Sequence, residues 1–250
     1  MSLYIISLGL HDYKDISLKA LELIKDCDIL YLETYTCKYK ESIEELEKKF
    51  NKEIIPADRT LVETKAETTI LENAQTKHVG FLVIGDAMSA TTHSDLYLRA
   101  KELNIKTYII PGSSVFTAVG ITGLQLYNFG RTGSIPFNTE SFKPETYYNI
   151  LKENKNLHTL MLLDLKDNKY MSIREAINNL LEIEEKRKEK IFTENTLCIG
   201  CARLGSLNPT IIAGSAKELK NDDFGAPVHC LIIPGKLHFK EEEMINTYRK

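Results

Sequence analysis

Hydrophobic positions along this chain fall into two alternating patterns. Short continuous apolar runs at 3–8, 28–32, 53–55, 79–84 and 107–110 are too short for stable helices. They read as strands covered on both faces. Between them lie stretches with helical spacing at 17–25 (Leu18, Leu21, Ile24), 41–50, 60–73 and 94–103. This β-α-β-α alternation predicts a mostly parallel sheet with helices on both faces. At Pro111-Gly112 the pattern changes. Residues 113–124 predict a helix of small residues starting at an N-cap-like Ser113-Ser114. Strands follow at 133–137 and 158–165, with a loop at 138–144 and a helix at 145–153. Residues 172–188 form an amphipathic pattern with Ile173, Ala176, Ile177, Leu180, Leu181 and Ile183 on one face. Strands at 198–202, 210–214 and 228–233 complete a final sheet. The chain is therefore read as α/β, with a domain 1–110 built on a mostly parallel sheet and a domain 111–250 on a mixed sheet.

The segment 79–93, VGFLVIGDAMSATTH, carries the most chemical information. A buried strand stops at Gly85-Asp86 and gives way to a loop of small and hydroxyl residues. Gly85 permits a turn that a side chain would obstruct. Asp86 sits where a parallel strand ends, the usual ligand edge of an open α/β sheet. Its carboxylate has two readings, acceptor for a ligand amine or hydroxyl and cap of its own turn. His93 likewise has a helix-start role and a ligand-facing role open to it.

Bulk properties narrow the function classes. The net charge is −3 and no basic block occurs, so nothing favours nucleic-acid binding. No apolar run approaches membrane-spanning length, and the N-terminus lacks the basic n-region of a secretory signal. Five scattered cysteines suit a reducing compartment. Cys198 and Cys201 are three apart on a predicted strand and point to opposite faces, so a shared metal is not expected. The charge run EEKRKEK closing the 172–188 helix reads as a solvated face.

Loops at several strand ends, SLGLH, GDAMSATTH, PGSSV, LDL, ARLGS and PVHCL, each set small or hydroxyl residues beside an apolar strand. Such loops hold a ligand through backbone groups with few charges. Neither phosphate-binding glycine motif occurs, so a ligand with adenine, ribose and an amino acid fits better than a nucleoside triphosphate.

The segments SLGLHDYKDIS, ILYLETYT, GDAMSATTHSDLYLRAKE, GITGLQLYNFG, HTLMLLDL, LLEIEEKR, ARLGS and PVHCLIIPGKLHF, in this order, resemble the diphthine synthase family of the tetrapyrrole-methylase superfamily. The resemblance covers nearly the whole chain. It implies two α/β domains with a cofactor cleft between them, S-adenosyl-L-methionine as cofactor, a homodimer, and a cytoplasmic enzyme. The implied substrate is a 3-amino-3-carboxypropyl group on one histidine of translation elongation factor 2, methylated on its amine. Cues for a three-methyl and a four-methyl product are mixed. LQLYNFG resembles the eukaryotic form, whereas LDLKDNKYMS and SLNPTI resemble the archaeal one.

Where motifs match, the resemblance implies cofactor contacts at Leu10, Asp86, Ser89, Ser114, Val115, Leu163, Leu204 and His229. No catalytic side chain and no metal ligand is implied. Two departures from the family stand out: Ser7 occupies a position that is commonly glycine, and Ala87 one that is commonly proline. Ser7 is expected to narrow the approach to the cofactor. Tyr31, Glu33, Tyr35 and Thr36 follow a strand end and are candidates to face a protein substrate, with surface solvation the more common explanation. Arg131 and Lys143 have two readings, contact with the substrate carboxylate and the more common solvated surface role. Two other readings compete, a superfamily enzyme acting on a tetrapyrrole or ribosomal RNA, and a non-catalytic protein that keeps the fold and binds the cofactor or a partner.

Overall fold

The computed structural model describes residues 1–139, 142–166 and 169–250. It divides into two compact units, Met1–Val115 and Phe116–Lys250. The expected loop 138–144 and the LDLKDNKYMS segment each lie in part outside the described residues.

The first unit is a five-stranded parallel sheet, ordered β3-β2-β4-β1-β5. Its strands are β1 (Ser2–Ser7), β2 (Ile29–Glu33), β3 (Ile54–Ala57), β4 (His78–Val83) and β5 (Thr107–Ile110). Side-chain alternation with period two explains why the strands are continuously apolar. Leu3, Ile5, Tyr31, Val79, Phe81 and Val83 enter one core. Ile6, Leu30, Leu32 and Leu82 enter the core on the other face. Helices α1 (Leu18–Asp26) and α2 (Ile43–Phe50) cover the latter. Helices α3 (Arg59–Glu63), α4 (Ile70–Thr76) and α5 (His93–Glu102) cover the former. Ser17 and Ser42 cap α1 and α2, accepting from Ala20 N and Glu45 N.

The single helix expected at 60–73 is broken in two. The Thr68 and Thr69 hydroxyls both donate to the Lys65 carbonyl, and Thr69 leaves helical geometry with φ −134° and ψ −90°. Threonine hydroxyls here compete with the helical backbone pattern. The helix expected at 113–124 shrinks to α6 (Val115–Ala118) and a 3-10 turn, Val119–Thr122. Thr122 donates to the Val119 carbonyl, and Gly123 ends the segment in the left-handed region.

The second unit carries the mixed sheet β11-β10-β12-β7-β6. Its strands are β6 (Gly133–Ile135), β7 (Thr159–Leu163), β10 (Leu197–Ala202), β11 (Thr210–Ser215) and β12 (His229–Ile233). Only the β6–β7 pairing is parallel. A two-stranded ribbon, β8 (Leu165–Lys166) with β9 (Lys169–Tyr170), lies beyond β7. Helices α7 (Thr146–Asn154) and α8 (Ile173–Arg187) pack on the sheet through Tyr147, Tyr148, Ile177 and Leu180. Ser172 and Glu175 cap α8 reciprocally.

Short α9 (Ala216–Leu219) and the terminal α10 (Phe239–Asn246) were not anticipated from the sequence pattern. Helix α10 starts from a histidine cap, His238, with Glu241 completing the box. The buried Glu241 carboxylate also accepts from Gln125 N at 2.9 Å and His158 Nε2 at 3.0 Å. His158 Nδ1 accepts from Gly235 N, so the donor to Glu241 is the Nε2–H.

Candidate cofactor site

At the carboxyl edge of the first sheet, the chain leaves β1 and β4 through paired glycine turns. Gly9 N donates to Gly85 O at 3.2 Å, and Gly85 N donates to Gly9 O at 2.7 Å. Gly9 has φ +82°, and a Cβ there would lie 2.4 Å from Asp15 Cβ, so only glycine fits. Gly85 is different. A Cβ there would meet nothing within 4 Å. Open space therefore lies beside the backbone that joins β4 to Asp86, with Leu10 half-buried just beyond Gly9.

Asp86 is heavily engaged within its own unit. Its Oδ1 accepts from Met88 N and Ser89 Oγ, each at 3.0 Å, and its Oδ2 accepts from Gly112 N at 3.0 Å. The turn-capping role is thus real, and it reaches further than a turn. One carboxylate binds the loop after β4 to the loop after β5, where Ser114 is buried and Val115 half-buried. Ser89 serves Asp86 as a donor.

The two family departures answer each other. Ala87 N donates to Ser7 Oγ at 2.9 Å, with both residues buried. Proline has no N–H to satisfy and glycine has no hydroxyl to offer. Here the Ala87 N–H meets and engages the Ser7 hydroxyl oxygen.

In the second unit, Leu163, Leu204 and His229 come together at one end of the sheet. Leu163 ends β7, His229 opens β12 opposite Ala202, and Leu204 lies two residues past β10. The register that pairs Cys230 with Leu162 sets His229 beside Leu163. Arg203, in the left-handed region at φ +55°, gives its guanidinium to the Phe224 and Ala226 carbonyls and to Thr210 Oγ1. That anchor orients the turn carrying Leu204. His229 Nε2 donates to the Gly225 and Ala226 carbonyls at 3.1 and 3.2 Å. Its Nδ1 therefore holds a lone pair, buried and without a partner among the described residues. Burial, and then Arg203, push the His229 pKa down, outweighing the carbonyls that favour the charged ring.

Several expectations are corrected. Tyr31 and Glu33 do not face outward: they are 4% and 0% exposed. Tyr31 accepts from Asn73 Nδ2, and Glu33 accepts from Tyr35 N and Thr36 Oγ1. Burial pushes the Glu33 pKa up. Arg131 and Lys143 form exposed ion pairs with Glu153 and Glu182, in accord with their solvated surface reading. Ser7, Ala87 and Gly112 hold the site loops, and the sequence flagged the first two only as departures.

Within the first unit, the backbone turns and the open face at Gly85 offer main-chain groups that can hold a ligand without a cationic cradle. No group of three or more histidine, cysteine or acidic side chains that could hold a metal occurs among the described residues.

Comparison with known proteins decides the family. Residues 2–220 match the model for Tetrapyrrole (Corrin/Porphyrin) Methylases. The chain is 45% identical to diphthine methyl ester synthase of Dictyostelium discoideum, covering 100% of this chain and 98% of that one. This chain belongs to the diphthine synthase family. It is 44% identical to diphthine synthase of Methanocaldococcus jannaschii, covering 97% of each. A crystal structure of diphthine synthase superposes with a TM-score of 0.92 at 36% identity, covering 100% of this chain and 96% of that one. Membership makes the chain a methyltransferase of diphthamide biosynthesis with the tetrapyrrole-methylase fold.

Proposed function

We propose that this enzyme transfers methyl groups from S-adenosylmethionine to the amine of a 3-amino-3-carboxypropyl group carried by a histidine of translation elongation factor 2. The observation that carries this reading is the full-length similarity to diphthine synthases at about 45% identity. The glycine-paired, backbone-rich loops at the first sheet's edge support it. Leu10, Asp86, Ser89, Ser114 and Val115 of the first unit, and Leu163, Leu204 and His229 of the second, are the proposed cofactor contacts. The proposal places the enzyme in the cytoplasm as a homodimer; no helix among the described residues is long and apolar enough to cross a membrane.

When bound, the cofactor supplies a methyl group already activated on a sulfonium. The chain's own work is alignment. Asp86 holds two loops in fixed relation through its three hydrogen bonds, and such positioning can supply much of the rate. Leu10, Leu163 and Leu204 offer apolar contact or main-chain groups. The reacting amine needs no assigned base, because water can take its proton before each attack. A carboxylate methylation would need none.

Calorimetry with S-adenosylhomocysteine in the presence of a chelator tests the cofactor claim. One site per chain is expected. Binding that disappears on chelation would overturn the metal-free reading.

A further inference from the structure

His93 is the first residue of α5 and 1% exposed, yet half of its hydrogen-bonding capacity is unused. Its Nδ1 lies 3.1 Å from the Ala87 carbonyl oxygen. A carbonyl only accepts, so Nδ1 carries the proton and Nε2 the lone pair. That Nε2 is buried with no partner among the described residues. The ring also meets Phe81 edge-on, with centroids 5.1 Å apart at 85°. Phe81 belongs to β4, the strand that runs into Gly85-Asp86. The imidazole is thus wedged between a strand and the loop which that strand feeds.

What the ring holds is the carbonyl of Ala87, the residue after Asp86. The Ala87 carbonyl accepts from His93 Nδ1 and Thr91 Oγ1, while the Ala87 N–H is received by Ser7 Oγ. The backbone of Ala87 is gripped through its N–H from β1 and through its carbonyl from the start of α5. A packing role alone would be filled better by leucine or phenylalanine, which leave no buried acceptor unpaired. Histidine gives that up and in return offers a donor aimed at Ala87.

We propose that His93 is a positioning residue for cofactor binding, acting through the Ala87 carbonyl to set the loop 85–89. The inference rests on the reading of that loop as cofactor site. It assigns His93 no contact with the cofactor or with the reacting atoms.

Two substitutions separate positioning from packing. His93→Leu keeps an apolar side chain and removes the donor. His93→Asn places an amide N–H about where Nδ1 stands and restores it. S-adenosylhomocysteine is titrated into wild type and both variants by calorimetry, alongside thermal unfolding and hydrogen exchange of the 85–89 amides. The expected result is about tenfold weaker binding for His93→Leu, the loss of one buried hydrogen bond. His93→Asn should stay within about threefold of wild type on the same arithmetic. In turnover, KM for S-adenosylmethionine should rise in His93→Leu while kcat at saturation holds.

Equal binding by His93→Leu and wild type would overturn the inference and leave the cofactor reading intact. So would His93→Asn binding as weakly as His93→Leu. Affinity that merely follows the thermal stability of the variants would reduce His93 to packing. If His93→Leu does not fold, His93→Asn and the exchange rates still decide: an unprotected 85–89 loop in a folded His93→Asn rejects the role. No binding by wild type would bring down the cofactor reading and the inference together.

Discussion

Ser7→Ala removes one oxygen and nothing else. In the wild type that oxygen receives Ala87 N–H at 2.9 Å, with Ser7 1% and Ala87 0% exposed. Water cannot replace the lost acceptor, so the variant leaves a buried donor unsatisfied. The cost of such a group is about 1–3 kcal/mol. For a chain of this size that is a fall in Tm of about 2–12 °C. Ala87→Pro removes the donor instead. The double variant Ser7→Ala/Ala87→Pro has neither partner and should recover most of the loss, giving a coupling energy of about 1–3 kcal/mol. Circular dichroism during urea unfolding reads the global cost, because the chain has no tryptophan to report by fluorescence. Amide exchange around Ala87 reads the local opening. A Ser7→Ala variant within about 0.5 kcal/mol of wild type, or a double variant no better than the single, would refute the reasoning.

Other outcomes follow from the same contacts. Asp86→Ala should weaken S-adenosylhomocysteine binding by about 1–3 kcal/mol and raise exchange at Gly112, whose N–H it frees; an unchanged dissociation constant by calorimetry would leave Asp86 a loop clamp only. Glu241→Ala strands the N–H groups of Gln125, His238 and His158 and should cost about 3–5 kcal/mol in urea unfolding. Burial pushes the Glu241 pKa up, but these donors more than offset it and leave it below the usual range. Its contribution is therefore present above the unfolded carboxylate pKa and lost as pH falls through the folded value. His93 is held below its usual pKa by burial, against the Ala87 carbonyl and the charge of Glu63, which favour protonation. Its neutral form is favoured in the fold, so stability should drop as pH falls below about 6.5, and His93→Leu should lessen that drop in acid titration of Tm. Light scattering of the purified chain should give the mass of a dimer, and a monomer at micromolar concentration would remove that proposal.

Much of the first unit was legible because its strands are buried on both faces and read as unbroken apolar runs. Helices α1, α2 and α8 fall within two residues of the ranges expected from the sequence, and each starts after a serine cap. The break at Thr68-Thr69 was missed because hydroxyl-to-carbonyl bonding depends on rotamers that spacing does not reveal. Helix α10 was missed because its cap is a histidine and its apolar stripe is weak. The place of Asp86 at a sheet edge followed from the strand that precedes it, but its bond to Gly112 joins residues 26 apart. Tyr31 and Glu33 show the limit of strand-end reasoning: alternation sends them into the core, and nothing in the local sequence marks how far the covering helices extend. Ser7 and Ala87 appeared as two separate departures, and only the fold shows them to be one hydrogen bond.

The central claim is tested most directly by following labelled methyl groups. Elongation factor 2 bearing the 3-amino-3-carboxypropyl group, the unmodified factor, and free amino acids are each incubated with the enzyme and tritiated S-adenosylmethionine. Transfer is predicted to the modified factor alone, because remote contacts with that protein align an amine the other substrates lack or cannot present. The mass of the product then counts the methyl groups. Equal labelling of modified and unmodified factor, or no labelling of either by an enzyme that binds the cofactor, would contradict the account.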